Sequence, residues 1–328
     1  MDLSTNYLGL NLRNPLIVGS SGLTADLANL KEIEKFGAGA VVLKSLFEED
    51  IIMEMKENMS QMSKPASIYP EIFDAFDFST IEDSVSKYLF LIEDAKKNIS
   101  IPVIASINCI DSNEWTTFAK RIQDAGADAL ELNIFITPTD MERTSIETEQ
   151  IYFDIIEKVK KEITIPISIK ISYFFTNLAN MILRLSQSGT SGIVLFNRFY
   201  HSDVNIDNLS IVPAPLFSAP SDLYQTMRWI AIMSKRANCD LAASTGAHDG
   251  KSFIKLLLTG AKVVQTTSAL YIHGIPYISK MISELEDWME TKKFNSIKDF
   301  NGILSSDKTK DPGAFMRVQF MKNFSGKK

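Results

Sequence analysis

The hydrophobic residues of this chain fall into short, almost unbroken runs, and between the runs their spacing changes. Residues 16–19, 40–44, 102–108, 129–133, 166–170, 192–197, 240–244 and 262–265 are mainly apolar and four to seven residues long. Runs of that length and composition read as strands. Between them, apolar residues recur every three or four positions over 27–36, 80–97, 115–125, 149–162, 178–187, 223–236 and 251–258, the period of amphipathic helices. In 80–97, for example, Ile81, Val85, Tyr88, Leu89 and Ile92 share one side. Small pairs (Gly37-Ala38, Gly126-Ala127, Gly260-Ala261) stop helices just ahead of strands. Continuous rather than alternating apolar runs mean strands buried on both faces, hence a parallel sheet. Eight β-then-α units favour a closed (β/α)8 TIM barrel over an open doubly wound sheet.

Residues 7–13, around Gly9, read as a small hairpin that plugs the bottom of the barrel. The tail from Ser283 reads as helical and charged. Two stretches break the rhythm. Residues 47–78 carry Glu48, Glu49 and Asp50, four methionines (Met53, Met55, Met59, Met62), Pro65 and Pro70. Residues 198–220 contain Pro213, Pro215 and Pro220. Long segments between barrel elements usually serve as lids or binding loops, and methionines suit adaptable contacts, although for any one of them packing on the rim is the commoner use. No linker divides the chain, so one domain over 1–328 with these two inserted loops is expected.

Composition narrows the function. The 328 residues are 45% hydrophobic and 23% charged, which is ordinary for a water-soluble globular protein. A net charge of −6 argues against a general nucleic-acid or membrane-surface role. No apolar run reaches membrane-spanning length, and the N-terminus lacks a secretory signal. Two cysteines, Cys109 and Cys239, form no disulfide framework or Cys-x-x-Cys motif, so a reduced, cytoplasmic protein is expected.

In a parallel barrel the chemistry gathers at the C-terminal ends of the strands. Those ends carry Ser20, Ser21, Lys44, Ser45, Asn108, Asn133, Lys170, Asn197, Thr245, Gly246 and Ser268. The set holds cations and amides. It lacks paired carboxylates and metal-ligand spacing, and His201, His248 and His273 share no such spacing either. Glu131 precedes Asn133 by two residues and would share its strand face, as an inward partner for Lys170. Two lysines at the ends of apolar strands are costly unless they face an anion or snorkel to solvent. Residues 242–270 add two small-residue turns, Thr245-Gly246-Ala247 and Thr267-Ser268, after the last two strands. Loops there commonly hold a phosphate, with His248 as an accessory contact, although a plain βαβ unit with tight turns reads the same way. A flavin answers all of these features. Its reduced N1–O2 edge needs a cation, its ring edge needs amides, and its phosphate needs the turns. Cys109 follows Asn108 at a strand end and reads as an inert buried thiol.

The same residues carry a resemblance. Residues 14–22 (Asn-Pro-Leu-Ile-Val-Gly-Ser-Ser-Gly), 40–45 (Ala-Val-Val-Leu-Lys-Ser), Glu131-Leu132-Asn133, 167–170 (Ile-Ser-Ile-Lys), Phe196-Asn197, 244–247 and 265–270 follow the order of motifs in class 1 dihydroorotate dehydrogenase, an FMN-containing cytosolic barrel. The chain resembles that family from about residue 14 to 290. The resemblance implies FMN contacts at Ser20, Ser21, Gly22, Lys44, Ser45, Asn133, Lys170, Gly246, Ala247, Thr267 and Ser268. It implies Lys170 at the N1/O2 edge, and Asn133 and Asn197 toward a small anionic substrate, to which Arg198 is added as a further substrate contact on its own chemistry. A homodimer is expected, and the electron-transfer partner is left open. The chain departs from the pattern in the substrate half. The family's Asn-Leu-Ser-Cys-Pro-Asn loop, whose cysteine is the general base, is here Asn133-Ile-Phe-Ile-Thr137-Pro138-Thr139, which sets Thr137 at the catalytic position once one inserted residue is allowed. The asparagine-rich segment after the second strand is replaced by residues 65–70, and Arg198 stands where the family has a small residue. The first reading is therefore an FMN-dependent oxidoreductase acting on a CH–CH bond, with Thr137 and Lys170 in the catalytic positions. A flavin-binding subunit without dihydroorotate turnover and a flavin-free phosphate-binding barrel are the alternatives.

Overall fold

A computed structural model describes residues 1–47, 84–108, 114–198 and 201–316. Eight parallel strands close on themselves: β3 (Leu16–Val18), β4 (Ala40–Val42), β6 (Val103–Asn108), β7 (Ala129–Asn133), β8 (Ile167–Ile171), β9 (Gly192–Leu195), β12 (Asp240–Ser244) and β13 (Val263–Thr266). The ring is completed because β3 pairs with both β13 and β4, and β4 pairs with β6. A two-residue strand, β5 (Leu46–Phe47), extends the edge of β6. Helices α1 (Leu27–Lys35), α2 (Ser84–Asn98), α3 (Glu114–Asp124), α4 (Ser145–Glu162), α5 (Leu178–Gln187), α6 (Leu223–Met233) and α7 (Gly250–Thr259) follow the strands, and α8 (Ser268–His273) and α9 (Tyr277–Lys292) follow β13. This is the expected (β/α)8 barrel.

The unbroken apolar runs conceal a period of two. Leu130 and Leu132 of β7, Ile167, Ile169 and Ile171 of β8, and Val264 of β13 belong to the large core shared with the helices. Ala129 of β7, Val263 of β13, Ile17, Val42, Ile104, Val194 and Ala242 form a second, inner core inside the ring. Alternation then sends Glu131, Asn133, Ser168, Lys170 and Gln265 into the barrel above that inner layer. The bottom is stoppered by the hairpin of β1 (Thr5–Tyr7) and β2 (Leu10–Leu12), whose Tyr7, Leu8 and Leu12 join the inner core. Leu8 N–H donates to the Asp240 carboxylate at 3.0 Å, which ties the plug to the start of β12. Burial pushes the Asp240 carboxyl up from its ordinary value and the neighbouring Cys239 thiol up to about 12.

Two elements differ from the sequence reading. Helix α4 begins four residues earlier than the periodicity suggests. Its first turn is solvent-facing, with only Ile146 apolar, and is set by a capping box in which Thr144 and Glu147 each satisfy the other's backbone N–H. The stretch expected as a loop at 198–220 contains an antiparallel hairpin, β10 (Ser202–Asn205) and β11 (Ser210–Pro213). It is four residues per strand and buries little, so no long hydrophobic run announces it. The expected insertion at 47–78, from Glu48 on, and Cys109 lie outside the described residues. Among the described residues, no helix is long and apolar enough to cross a membrane.

Candidate functional site

Three strands bring their inward side chains together just below the C-terminal mouth. Lys170 Nζ donates to Gln265 Oε1 at 2.9 Å, and Gln265 Nε2 donates to Glu131 Oε2 at 2.7 Å. The ammonium lies 3.6 Å from Glu131 Oε1, an oxygen with no hydrogen-bond partner. Lys170 is 9% exposed and Glu131 1%. Strands β7 and β13 stand on opposite sides of the ring, so the Glu131–Gln265 bond spans it. The Glu131–Lys170 pairing follows from strand alternation alone. Gln265, which completes the triad, read in sequence only as the end of a strand. Its signal was a polar residue at an inward position of an apolar run.

Above the triad, two asparagines are drawn to Lys170. Its carbonyl accepts from Ile134 N–H at 3.2 Å and from Asn197 Nδ2 at 3.3 Å. Asn133 faces Lys170 across the β7–β8 register, and its Oδ1 is buried with no partner. The opening turn supplies serines. Ser20 Oγ accepts from Ser45 N–H at 2.9 Å and lies 3.1 Å from Ser45 Oγ, which lies 2.8 Å from Ser106 Oγ. Tyr88 clamps Ser106 through its hydroxyl, accepting from the backbone N–H at 2.8 Å and donating to the carbonyl at 3.0 Å. Burial raises the Tyr88 hydroxyl well above its ordinary value, and the Glu131 charge adds to the effect. Ser21 Oγ is buried without a partner. Lys44, by contrast, is exposed.

The turns after the last two strands adjoin the opening turn because β13 pairs with β3. A Cβ on Gly19 would come within 2.8 Å of Thr267 Oγ1, and one on Gly22 within 2.8 Å of the Tyr271 hydroxyl. Thr266 Oγ1 donates to Ala247 carbonyl oxygen at 3.0 Å, joining the two late turns. Thr245 and Gly246 both have positive φ, at 80° and 84°. Such a conformation is uncommon for threonine and marks a tight, over-determined turn. A side chain on Gly246 would collide with the backbone at the start of α6, so that glycine is required for packing as well as for the turn. Helix α7 then starts on Asp249, whose carboxylate accepts from Ser252 N–H at 2.7 Å.

Ser218, absent from the sequence reading, bridges these turns. Its N–H donates to Ser268 Oγ at 3.0 Å, and its Oγ lies 2.9 Å from His248 Nε2. Partial burial lowers the His248 pKa below its ordinary value, against the pull of Ser218 and nearby Asp222. Arg198 lines the cleft beside Asn197 and is also tied to its own loop. Its guanidinium donates to the carbonyls of Leu216 and Pro215, both at 2.7 Å, and to Asp222 at 3.1 Å. It thereby holds the loop that delivers Ser218. Thr137 lies exposed in the loop after β7, where Thr139 N–H turns back onto its carbonyl at 2.8 Å.

A cleft of about 320 Å³ opens beside Asn197, walled by Tyr173, Phe196, Phe217 and Thr245. A larger surface cavity, about 460 Å³, lies between α4 and Ser188 and contains no strand-end group. Among the described residues, no group of three or more His, Cys, Asp or Glu could hold a metal ion.

The sequence profile of the family described as Dihydroorotate dehydrogenase matches residues 2–289. The catalytic subunit of dihydroorotate dehydrogenase B (NAD(+)) of Thermoplasma volcanium is 23% identical over 317 residues, covering 92% of this chain and 98% of the relative. The subunit of the same name from Methanocaldococcus jannaschii is 24% identical over 298 residues, covering 88% and 94%. The chloroplastic dihydropyrimidine dehydrogenase (NADP(+)) of Arabidopsis thaliana is 23% identical, covering 92% of this chain and 76% of the plant protein. With a match running over most of its length on a barrel of this architecture, the chain belongs to the dihydroorotate dehydrogenase family.

Proposed function

We propose that the barrel binds FMN at its C-terminal mouth and acts as an oxidoreductase on a carbon–carbon bond of a small anionic substrate of the dihydropyrimidine kind. The observation that carries this reading is a buried ammonium, Lys170, beside an unpartnered buried amide oxygen on Asn133. Buried polar groups are normally satisfied, so a buried ammonium held by one hydrogen bond, with N–H donors to spare, beside an open acceptor on the same rim implies a polar ligand edge that both accepts and donates. Ser21 Oγ, also buried and unpartnered, sits on the same rim. The relatives' names supply the substrate class, since dihydroorotate and dihydropyrimidine dehydrogenases both act on the ring bond between two carbons.

When bound, FMN supplies a two-electron acceptor for hydride. In this reading Ser20, Ser21, Gly22, Lys44, Ser45 and Asn133 line the ring, and Gly246, Ala247, Thr267 and Ser268 hold the phosphate. Lys170 favours negative charge at the N1/O2 edge. Asn133 and Asn197, gathered on either side of Lys170, orient the substrate, while Arg198 stiffens the loop. Thr137 stands at the position of the family's cysteine. An aliphatic hydroxyl is too weak an acid to be deprotonated near neutrality, so it is a poor general base. We read residues 1–328 as one cytoplasmic FMN-binding domain that forms a homodimer and hands electrons to another protein or a soluble acceptor.

The test is to purify the protein, release its chromophore and identify it. A stoichiometric FMN supports the assignment, and a colourless protein that does not take up added FMN rejects it. A second reading, a flavin-binding subunit without dihydroorotate turnover, is favoured by Thr137. Steady-state oxidation of dihydroorotate separates the two.

A further inference from the structure

The three-residue ring under the mouth does more than fill the barrel. A buried ion pair gains little for stability, since its desolvation cost rivals its attraction, and an apolar trio of the same volume would hold the strands as well. The geometry is specific nonetheless. Gln265 accepts from Lys170 through Oε1 and donates to Glu131 through Nε2. The opposite amide orientation would set N–H against ammonium and oxygen against carboxylate, so the charges dictate the one observed. The ammonium is therefore tethered by Gln265 while Glu131 stands 3.6 Å away, in electrostatic contact without a hydrogen bond. Glu131 has no other cation within ion-pairing distance among the described residues. Its negative charge reaches further still, contributing to the raised pKa of both Tyr7 and Tyr88.

We propose that Glu131 and Gln265 are positioning residues that set the electric field Lys170 delivers at the barrel mouth. Glu131 is a buried counter-ion that attenuates the cation, and Gln265 fixes the distance between the two charges. The inference rests on the FMN reading above. A bare lysine would pull the reduction potential of a ring beside it upward, whereas a lysine paired from below presents a largely neutral pair. Removing Glu131 strengthens the field and removing Lys170 reverses it. Removing both returns the ring close to its starting environment.

The experiment measures the midpoint potential of bound FMN by dye equilibration in the holoprotein, with the FMN dissociation constant as a second readout. Glu131→Gln keeps the shape and the bond to Gln265, and is expected to raise the potential and tighten the reduced form by roughly tenfold or more relative to the oxidised form, as unit charges at these separations do. Lys170→Met is expected to lower the potential, and the double variant to lie near wild type. A role confined to packing would change melting temperature or flavin occupancy and leave the potential unmoved. An unmoved or lowered potential in Glu131→Gln overturns the proposal. If that variant loses its flavin, Glu131→Leu, which removes the same charge without a new polar group, decides the matter: it must raise the potential, and an unchanged value overturns the proposal. Wild-type protein that binds no FMN sinks the functional reading itself, and is thereby distinguished from a yellow protein whose potential ignores Glu131.

Discussion

Individual residues at the mouth answer to two demands at once. Gly246 illustrates this. It lies in the turn assigned to the phosphate, yet its positive φ and its contact with the start of α6 make it structural too. Gly246→Ala is expected to cost about 1–3 kcal/mol through the strained turn, and more through the collision, seen as a lower denaturant midpoint even without cofactor. A cleaner probe of the phosphate is Ser268→Ala, whose hydroxyl meets Ser218 N–H. It should weaken FMN binding several-fold and barely change the midpoint. His248 gives a pH signature. Its folded-state pKa lies below its unfolded value near 6.5, so the unfolded chain binds more protons between the two. The stabilisation is present above about pH 6.5 and is lost as pH falls through the folded value. Thermal melts from pH 8 down to 5 should show a decline that His248→Gln flattens. An identical slope in both proteins would rule this residue out as its source.

At the scale of elements, helix ends explain more than helix interiors. Helix α4 starts where Thr144 and Glu147 cap each other, so Thr144→Ala should destabilise the protein by about 1 kcal/mol without touching the mouth. Urea unfolding reads this directly, and an unchanged midpoint would mean that the first turn frays freely. The hairpin of β10 and β11 shows the opposite case. Val204 and Ile211 pair across it and remain exposed, at 63% and 79%. Alternation without burial is a weak signal, which is why the region reads as a loop in sequence. The strand ends were legible for the same physical reason that the hairpin was not. A polar residue closing a fully buried run stands out, and Asn133, Lys170 and Asn197 do converge. Ser218 and Arg198 could not be placed this way. The partners of Arg198 lie 17 to 24 residues on, where its own loop folds back, and those of Ser218 lie 30 and 50 residues away on turns that the barrel brings together.

For the whole molecule, the test is the reaction. General-base catalysis is worth about 10²–10⁴-fold, so if the barrel binds FMN as proposed, with Thr137 at the position of the family's cysteine, it should oxidise dihydroorotate slowly while the flavin remains reducible by dithionite. Turnover at ordinary enzymatic rates would show that another group is the base. The sequence by itself determined the closed parallel barrel, the plug at its bottom and the mouth at which the chemistry gathers. Those features follow from which residues avoid water, and that preference is written in period and run length. Tertiary structure alone decided the roles within the mouth. It made Gln265 the bridge between Glu131 and Lys170, turned Arg198 onto its own loop, left Lys44 exposed, and joined the late turns through Ser218. Each of these depends on the distance and direction between strands far apart in the chain, which the ring's closure and stagger set.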